Sequence, residues 1–255
     1  EPFALGTTVV TWTVEDGSGN IATCTQNVIV IDTELPTITC PADVTVETDA
    51  GFCYATGVDL GTPVTADNCS VGSVVNDAVE PFALGTTVVT WTVTDGSGNM
   101  ATCTQNVVVI DTELPTITCP VDVTVSTDAG FCYATGVDLG IPVTADNCSV
   151  ASVVNDAVEP FALGTTVVTW TVEDGSGNIA TCTQNVIVID TELPTIICPA
   201  DVTVETDAGY CYATGVDLGI PVVADNCSVA GYVNDAVEPF ALGTTVVTWT
   251  VEDGS

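Results

Sequence analysis

The string EPFALGTTVVTWTV begins at Glu1 and returns unchanged at Glu80, Glu159 and Glu238, a period of 79 residues. That period is longer than a solenoid unit of ~20–50 residues and has the size of a small independent β domain. The 255 residues therefore divide into the end of one repeat (1–31), two complete repeats (32–110 and 111–189) and a fourth copy (190–255) that stops before its last strand. Glu1 falls inside a repeat, so the sequence reads as a window on a longer array. Asp32–Ile110 and Asp111–Ile189 differ at only seven positions, among them Thr62 against Ile141, Glu47 against Ser126 and Met100 against Ile179. Such uniformity suits an array whose job is length. An enzyme has little use for several near-identical active sites in one chain.

Inside a repeat the pattern is that of strands. In Thr86–Val93, TTVVTWTV, the residues Val89, Trp91 and Val93 fall on one face and Val88, Thr90 and Thr92 on the other. β-branched residues dominate and good helix formers are scarce. The turn signal Asp95-Gly-Ser-Gly-Asn99 follows, and Met100–Ile110 returns as the second arm of a hairpin. Upstream, Asp43–Thr48 and Phe52–Val58 alternate around a turn at Asp49–Gly51. Val71–Val75 is a weaker strand, and Asp59–Pro63 and Asp67–Cys69 read as loops. Short strands separated by turns over this length predict an all-β sandwich. Trp12, Trp91, Trp170 and Trp249, each flanked by valines, are expected in the core rather than as sugar-stacking platforms. Pro36 in the recurring DTELP restricts the joint between repeats.

The chain contains no Lys, Arg or His, and its formal charge is −34. It can form no side-chain salt bridge, and its counter-charges must be solvent cations or bound metal. Nucleic acid and anionic membranes should be repelled, because phosphate contacts come mainly from Lys and Arg. An apolar content of 46% argues against disorder. No apolar run reaches the ~18 residues needed to span a bilayer, so direct membrane insertion is not expected. Twelve cysteines at regular spacing, without CxxC pairs or histidines, read as disulfides and place the protein outside the cell or at its surface. Four cysteines per repeat admit three internal pairings. A further arrangement joins Cys24 to Cys40 and Cys103 to Cys119 across the DTELP joints.

TCP at Thr39–Pro41, ADNC at Ala66–Cys69 and FALGTTVVTWTVTDGSGNMATC at Phe82–Cys103 together resemble the hyalin repeat, or HYR domain. The resemblance covers the whole unit and recurs in every copy. Gln105 departs from it, standing where the family often has an aromatic residue. The resemblance implies immunoglobulin-like sandwiches in adhesive or matrix-forming surface proteins, among them long bacterial tandem-repeat adhesins, including those used in gliding. It also implies intradomain bridges: Cys40–Cys103, Cys53–Cys69, Cys119–Cys182, Cys132–Cys148 and Cys211–Cys227, leaving Cys24 and Cys198 to partners elsewhere. A bridge closing a loop of roughly 60 residues is worth about 4 kcal/mol by loop entropy, a large term for a domain with a modest core.

Each complete repeat carries ten carboxylates, spread evenly, with no DxDxDG loop. One reading is a solvated acidic surface that keeps a long fibre soluble. The other is Ca²⁺ at the joints, with Asp32, Glu34, Asp95, Asp111, Glu113, Asp174, Asp190 and Glu192 as candidate ligands. In an immunoglobulin-like sandwich the turn before the last strand lies at the pole where the chain enters. That places Asp95 and Asn99 near Asp32 and Glu34. The turns at Asp49 and Glu80–Leu84 then face the next joint, at Asp111. No nucleophile–base arrangement is present, and catalysis is not expected. Asn68, Asn147 and Asn226 begin N-x-S sequons. The function expected is a stalk or fibre that holds an adhesive region away from a cell surface, with neighbouring repeats as its first partners and like chains as further ones. The rival is direct adhesion by the repeats to carbohydrate, a surface or like repeats.

Overall fold

The computed structural model describes residues 1–255. Every regular element is a β-strand, and each complete repeat is an immunoglobulin-like β-sandwich. In the first complete repeat the strands are β1 (Thr37–Thr39), β2 (Val44–Glu47), β3 (Tyr54–Ala55), β4 (Val64–Ala66), β5 (Val71–Asn76), β6 (Phe82–Ala83), β7 (Gly85–Asp95) and β8 (Met100–Ile110). The main sheet has the order β2-β8-β7-β5, with β2 parallel to β8 and the other pairs antiparallel. Two small antiparallel pairs, β1 with β4 and β3 with β6, complete the repeat. The expected strand at Phe52–Val58 is regular only over Tyr54–Ala55. Val64–Ala66, which gives no alternation signal of its own, pairs with β1.

The chain forms two compact units. One is Glu1–Glu113 with Asp146–Cys148; the other is Leu114–Ala145 with Ser149–Ser255. In the first, Ala55, Phe82, Val89, Trp91, Val107 and Val109 form the core, with Ile38, Val46, Val58 and Leu60 packed around it. The second repeats this with Ala134, Phe161, Val168, Trp170, Val186 and Val188. The alternation read from the sequence is the alternation of burial: Val89, Trp91 and Val93 are buried while Val88 is 57% exposed.

Trp12, expected in the core, is exposed. In the N-terminal hairpin, Gly6–Glu15 pairs with Ile21–Val30 without the rest of a sandwich, and Trp12 is 59% exposed against 7% for Trp91.

Gln105 is 1% exposed, and every polar atom of its amide is used. Its Oε1 accepts the Trp91 indole N–H at 2.9 Å, and its Nε2 donates to the carbonyls of Ala42 (2.7 Å) and Leu60 (3.0 Å). Gln184 does the same for Trp170, Val121 and Leu139. The departure from the family pattern is thus a polar bolt through the core.

The parallel β2–β8 pairing is set by Asp43, which accepts the Asn106 backbone N–H at 2.8 Å and its side-chain amide at 3.0 Å. Those two donors hold Asp43 below the ordinary carboxylate range. Asp122 is held down in the same way by the side chain and backbone of Asn185. A depressed folded-state pKa gives stability that is complete above the unfolded value of ~3.9 and is lost as pH falls through the folded one. Asp43→Ala combined with Asp122→Ala should lower the melting midpoint at pH 7. The gap from the parent chain should narrow as pH falls below the unfolded value of ~3.9 and the two carboxylates become protonated in the folded chain as well. A constant gap from pH 7 to pH 2 would show that these carboxylates stabilise the pairing without their charge.

Candidate functional site

Three loops meet at the entry pole of each sandwich. The first is the hairpin turn Asp95-Gly-Ser-Gly-Asn99. Asp95 Oδ1 accepts the N–H groups of Ser97 (2.9 Å) and Asn99 (2.7 Å), and its Oδ2 accepts the Asn99 amide at 2.6 Å. Asp95 is 4% exposed. Burial pushes its pKa up, but the donors of Asn99, Ser97 and Gly98 outweigh that and hold it low. The second loop is Asp67–Ser70, an Asx turn in which Asp67 Oδ2 accepts the N–H groups of Cys69 and Ser70, both at 2.8 Å. It leads directly into β5, whose first residue, Val71, stands opposite Asp95. Gly96 donates its N–H to Ser70 O at 2.9 Å, and a Cβ on Gly96 would lie 2.5 Å from Ser70 Oγ. A side chain at that position would force the Ser70 hydroxyl to turn aside. The third loop is the joint, where Asn99 donates to the backbone carbonyl of Asp32 at 3.3 Å.

The result is a carboxylate triad. Asp32, Asp67 and Asp95 each offer an oxygen, and these oxygens lie within 4.8 Å of one another. Asp32 Oδ2 and Asp67 Oδ1 are shielded from solvent and accept no hydrogen bond. Asp190, Asp225 and Asp253 form the same triad in the second unit, and Asp225 Oδ1 is again buried without a donor. Asp111 and Asp174 occupy the equivalent sequence positions in the middle copy. They are 7% and 2% exposed, and Asp174 is the acceptor of its own hairpin turn.

The opposite pole receives the following joint. In the first unit, Thr48 donates its N–H to Ile110 O at 2.9 Å, and Gly51 donates to the Glu113 carboxylate at 2.8 Å. In the second, Thr127 and Gly130 do the same with Ile189 O (2.9 Å) and Glu192 (2.8 Å). Glu113 and Glu192 therefore cap backbone donors and stand apart from the triads, while Glu34 is exposed. The Asn147 amide donates to Phe52 O (3.0 Å) and Asp111 Oδ1 (3.3 Å), and Asn226 donates to Phe131 O (2.9 Å) and Asp190 Oδ1 (3.2 Å). The acceptor nitrogen of these two sequons is thereby committed to the joint.

The cysteines correct part of the expected pairing. Cys40 is bonded to Cys103, and Cys119 to Cys182, across the sandwich. Cys53, however, is bonded to Cys148 of the next repeat rather than to Cys69, and Cys132 is bonded to Cys227 rather than to Cys148. Cys211, expected to join Cys227, is free, as are Cys24, Cys69 and Cys198. The reason is geometric. Cys69 precedes Ser70, which is tied to the turn before β8, whereas Cys53 lies beside the Thr48–Ile110 contact at the far end of β8. A strand of this length separates the two ends by ~33 Å, far beyond disulfide reach. A spacing of 16 residues looks local, but the chain uses it to travel from one pole to the other. The alternative joining Cys24 to Cys40 is likewise not formed.

A profile of the HYR domain matches residues 31–109 and 110–188. "Hyalin" from Strongylocentrotus purpuratus is 36% identical over 273 aligned residues, covering 99% of this chain and 22% of that protein. "Hyalin" from Lytechinus variegatus is 35% identical, covering 98% and 50%. The chain thus spans half or less of these relatives. "Sushi, von Willebrand factor type A, EGF and pentraxin domain-containing protein 1" from Rattus norvegicus is 31% identical over 67% of this chain and 5% of that protein. Among solved structures, the Protocadherin GammaB4 extracellular domain aligns over 91% of this chain and 47% of its own, at 16% identity and a TM-score of 0.37. The sequence relatives are animal proteins, so a bacterial gliding adhesin draws no support from them.

Proposed function

The chain belongs to the HYR domain family, whose members are extracellular or cell-surface adhesion proteins, and from that premise we propose that it is a load-bearing spacer within an extracellular adhesive array. Neither the family nor the matched relatives are enzymes. One observation carries the reading: a disulfide links each complete repeat to the following copy, Cys53 to Cys148 and Cys132 to Cys227. A module built only to bind a ligand needs a stable domain, which the bridge inside each sandwich already supplies. A covalent clamp from one repeat to the next serves transmission of tension along the array. The charge of −34 with no cationic side chain supports the spacer over self-adhesion, since like surfaces repel at separations near the Debye length.

Beads coated with the 255-residue chain should stay dispersed in physiological salt, with or without millimolar Ca²⁺, and show no saturable binding to immobilised glycans. Clustering of the beads, or a glycan signal that saturates, would replace the spacer with the adhesive module.

A further inference from the structure

We propose that Asn147 and Asn226, the sequon asparagines at the two joints, are N-glycosylation sites only while the clamp between repeats is open. The sugar and the bridge at that joint, Cys53–Cys148 or Cys132–Cys227, are mutually exclusive. The inference goes beyond the spacer reading. It needs the bridges themselves and not the load they carry.

The tetrapeptide Asp-Asn-Cys-Ser stands three times in the chain, and the structure holds it in two states. At Asp67–Ser70 the cysteine is free and Asn68 is exposed. The Asn68 amide makes one long contact, donating to Asp32 Oδ1 at 3.4 Å. At Asp146–Ser149 the cysteine is bonded to Cys53 and Asn147 is half-buried. Its Nδ2 lies within donating distance of Phe52 O (3.0 Å), Asp111 Oδ1 (3.3 Å) and Thr48 Oγ1 (3.4 Å). Asp225–Ser228 repeats the second state. Cys227 is bonded to Cys132, and the Asn226 amide meets Phe131 O (2.9 Å), Asp190 Oδ1 (3.2 Å) and Thr127 Oγ1 (3.3 Å).

The chemistry of the two modifications makes them compete. In glycosylation the Asn147 nitrogen attacks the anomeric carbon of a lipid-linked oligosaccharide. An N–C bond forms, the C–O bond to pyrophosphate breaks, the lipid pyrophosphate departs and the amide proton passes to a base on the transferase. The nitrogen has two hydrogens, and both point into a set of three acceptors. Replacing one with a bulky sugar fills the space those acceptors occupy and takes a donor from a half-buried carbonyl or carboxylate. The clamp closes by a different step, in which two thiols give up two electrons and two protons to a disulfide oxidant of the oxidised-glutathione class. Geometry couples the steps. Phe52 precedes Cys53 and Asn147 precedes Cys148, so the hydrogen bond and the bridge join adjacent positions. A sugar between the first pair holds the second pair beyond disulfide reach. Conversely, the cysteine inside each sequon is the one the bridge ties down, and a clamped sequon cannot leave the joint to enter a transferase.

The test is secretion of the 255-residue chain from a host that N-glycosylates, followed by non-reducing digestion with a non-tryptic protease and glycopeptide mass spectrometry. In the parent chain, sugar is expected on Asn68, and on Asn147 or Asn226 only in molecules that lack the bridge at that joint. Cys53→Ser should raise occupancy at Asn147 severalfold and leave Asn226 unchanged. Cys132→Ser should do the reverse. Both variants keep the bridges inside the sandwiches, Cys40–Cys103 and Cys119–Cys182, and the untouched joint reports that the rest of the chain has folded. The proposal is overturned by a peptide pair carrying both the Cys53–Cys148 bond and a sugar on Asn147. It is equally overturned if Asn68 stays bare, if occupancy at Asn147 does not rise in Cys53→Ser, or if both joints gain sugar in either variant.

Discussion

Pulled from its ends, the oxidised chain is expected to give up little length even after its sandwiches open. The shortest covalent route through two complete repeats crosses Cys40–Cys103, follows the backbone from Cys103 to Cys119, and crosses Cys119–Cys182. Between Cys40 and Cys119, only about 16 residues can straighten, or roughly 55–60 Å at the extended-chain limit. Full reduction frees all 79 residues of the period, which is about 270 Å by the same limit. A Cys40→Ser/Cys103→Ser chain separates the two kinds of bridge. If only the sandwich bridge restrained the repeat, its loss would free about 63 residues, roughly 220 Å. With Cys53 held to Cys148, the route instead runs forward about 13 residues to Cys53 and back about 29 from Cys148 to Cys119. The gain is then only about 26 residues, roughly 90 Å. Single-molecule force–extension curves resolve these two steps. A step near the larger value would mean that Cys53 is not joined to the next repeat.

Gln105→Leu should be among the most destabilising substitutions in the chain. It keeps the side-chain volume but strands the Trp91 indole N–H and the carbonyls of Ala42 and Leu60, all of which Gln105 satisfies. A buried polar group left unpaired costs about 1–3 kcal/mol, so three of them predict a loss of at least ~3 kcal/mol. In a domain of this size that is a fall of roughly 12–24 °C in melting midpoint for the affected repeat. Gln105→Glu should fare no better. It can still accept from Trp91 but cannot donate to two carbonyls, and it buries a charge with no cation available. Calorimetry of Gln105→Leu, Trp91→Phe and the double variant gives the coupling. A loss from Gln105→Leu below about 1 kcal/mol would mean that water replaces the amide at all three partners.

How much of this was legible in the sequence depends on how far apart the partners lie. The hairpin from Gly85 to Ile110 was readable because valine–threonine alternation, the Asp-Gly-Ser-Gly-Asn turn and the return strand are local signals. Asp95 could be placed near Asp32 by fold topology alone, and the structure brings them together. Asp67 was missed because its delivery depends on a strand pairing, Val71 opposite Asp95, between segments 24 positions apart in the chain. The Asx turn it makes is visible in the string Asp-Asn-Cys-Ser, but the direction of its free oxygen is not. The Cys53–Cys69 pairing that the resemblance implies fails for a related reason: the two are close in sequence, but the segment between them runs from one pole to the other, and Cys53 is joined to Cys148. Gln105 registered only as an irregularity, because its three partners come from three different parts of the fold.

The bridges overlap. Cys40–Cys103, Cys53–Cys148, Cys119–Cys182 and Cys132–Cys227 form loops each of which begins before the preceding one has closed. Every peptide bond between Cys40 and Cys227 therefore lies inside at least one closed ring. A protease that cuts once anywhere in that span leaves a single covalent molecule, still able to carry load from one end to the other. The damage would show as separate fragments only after reduction. Outside the cell, where secreted proteases act, such redundancy lets the chain fail by accumulated cuts rather than at the first.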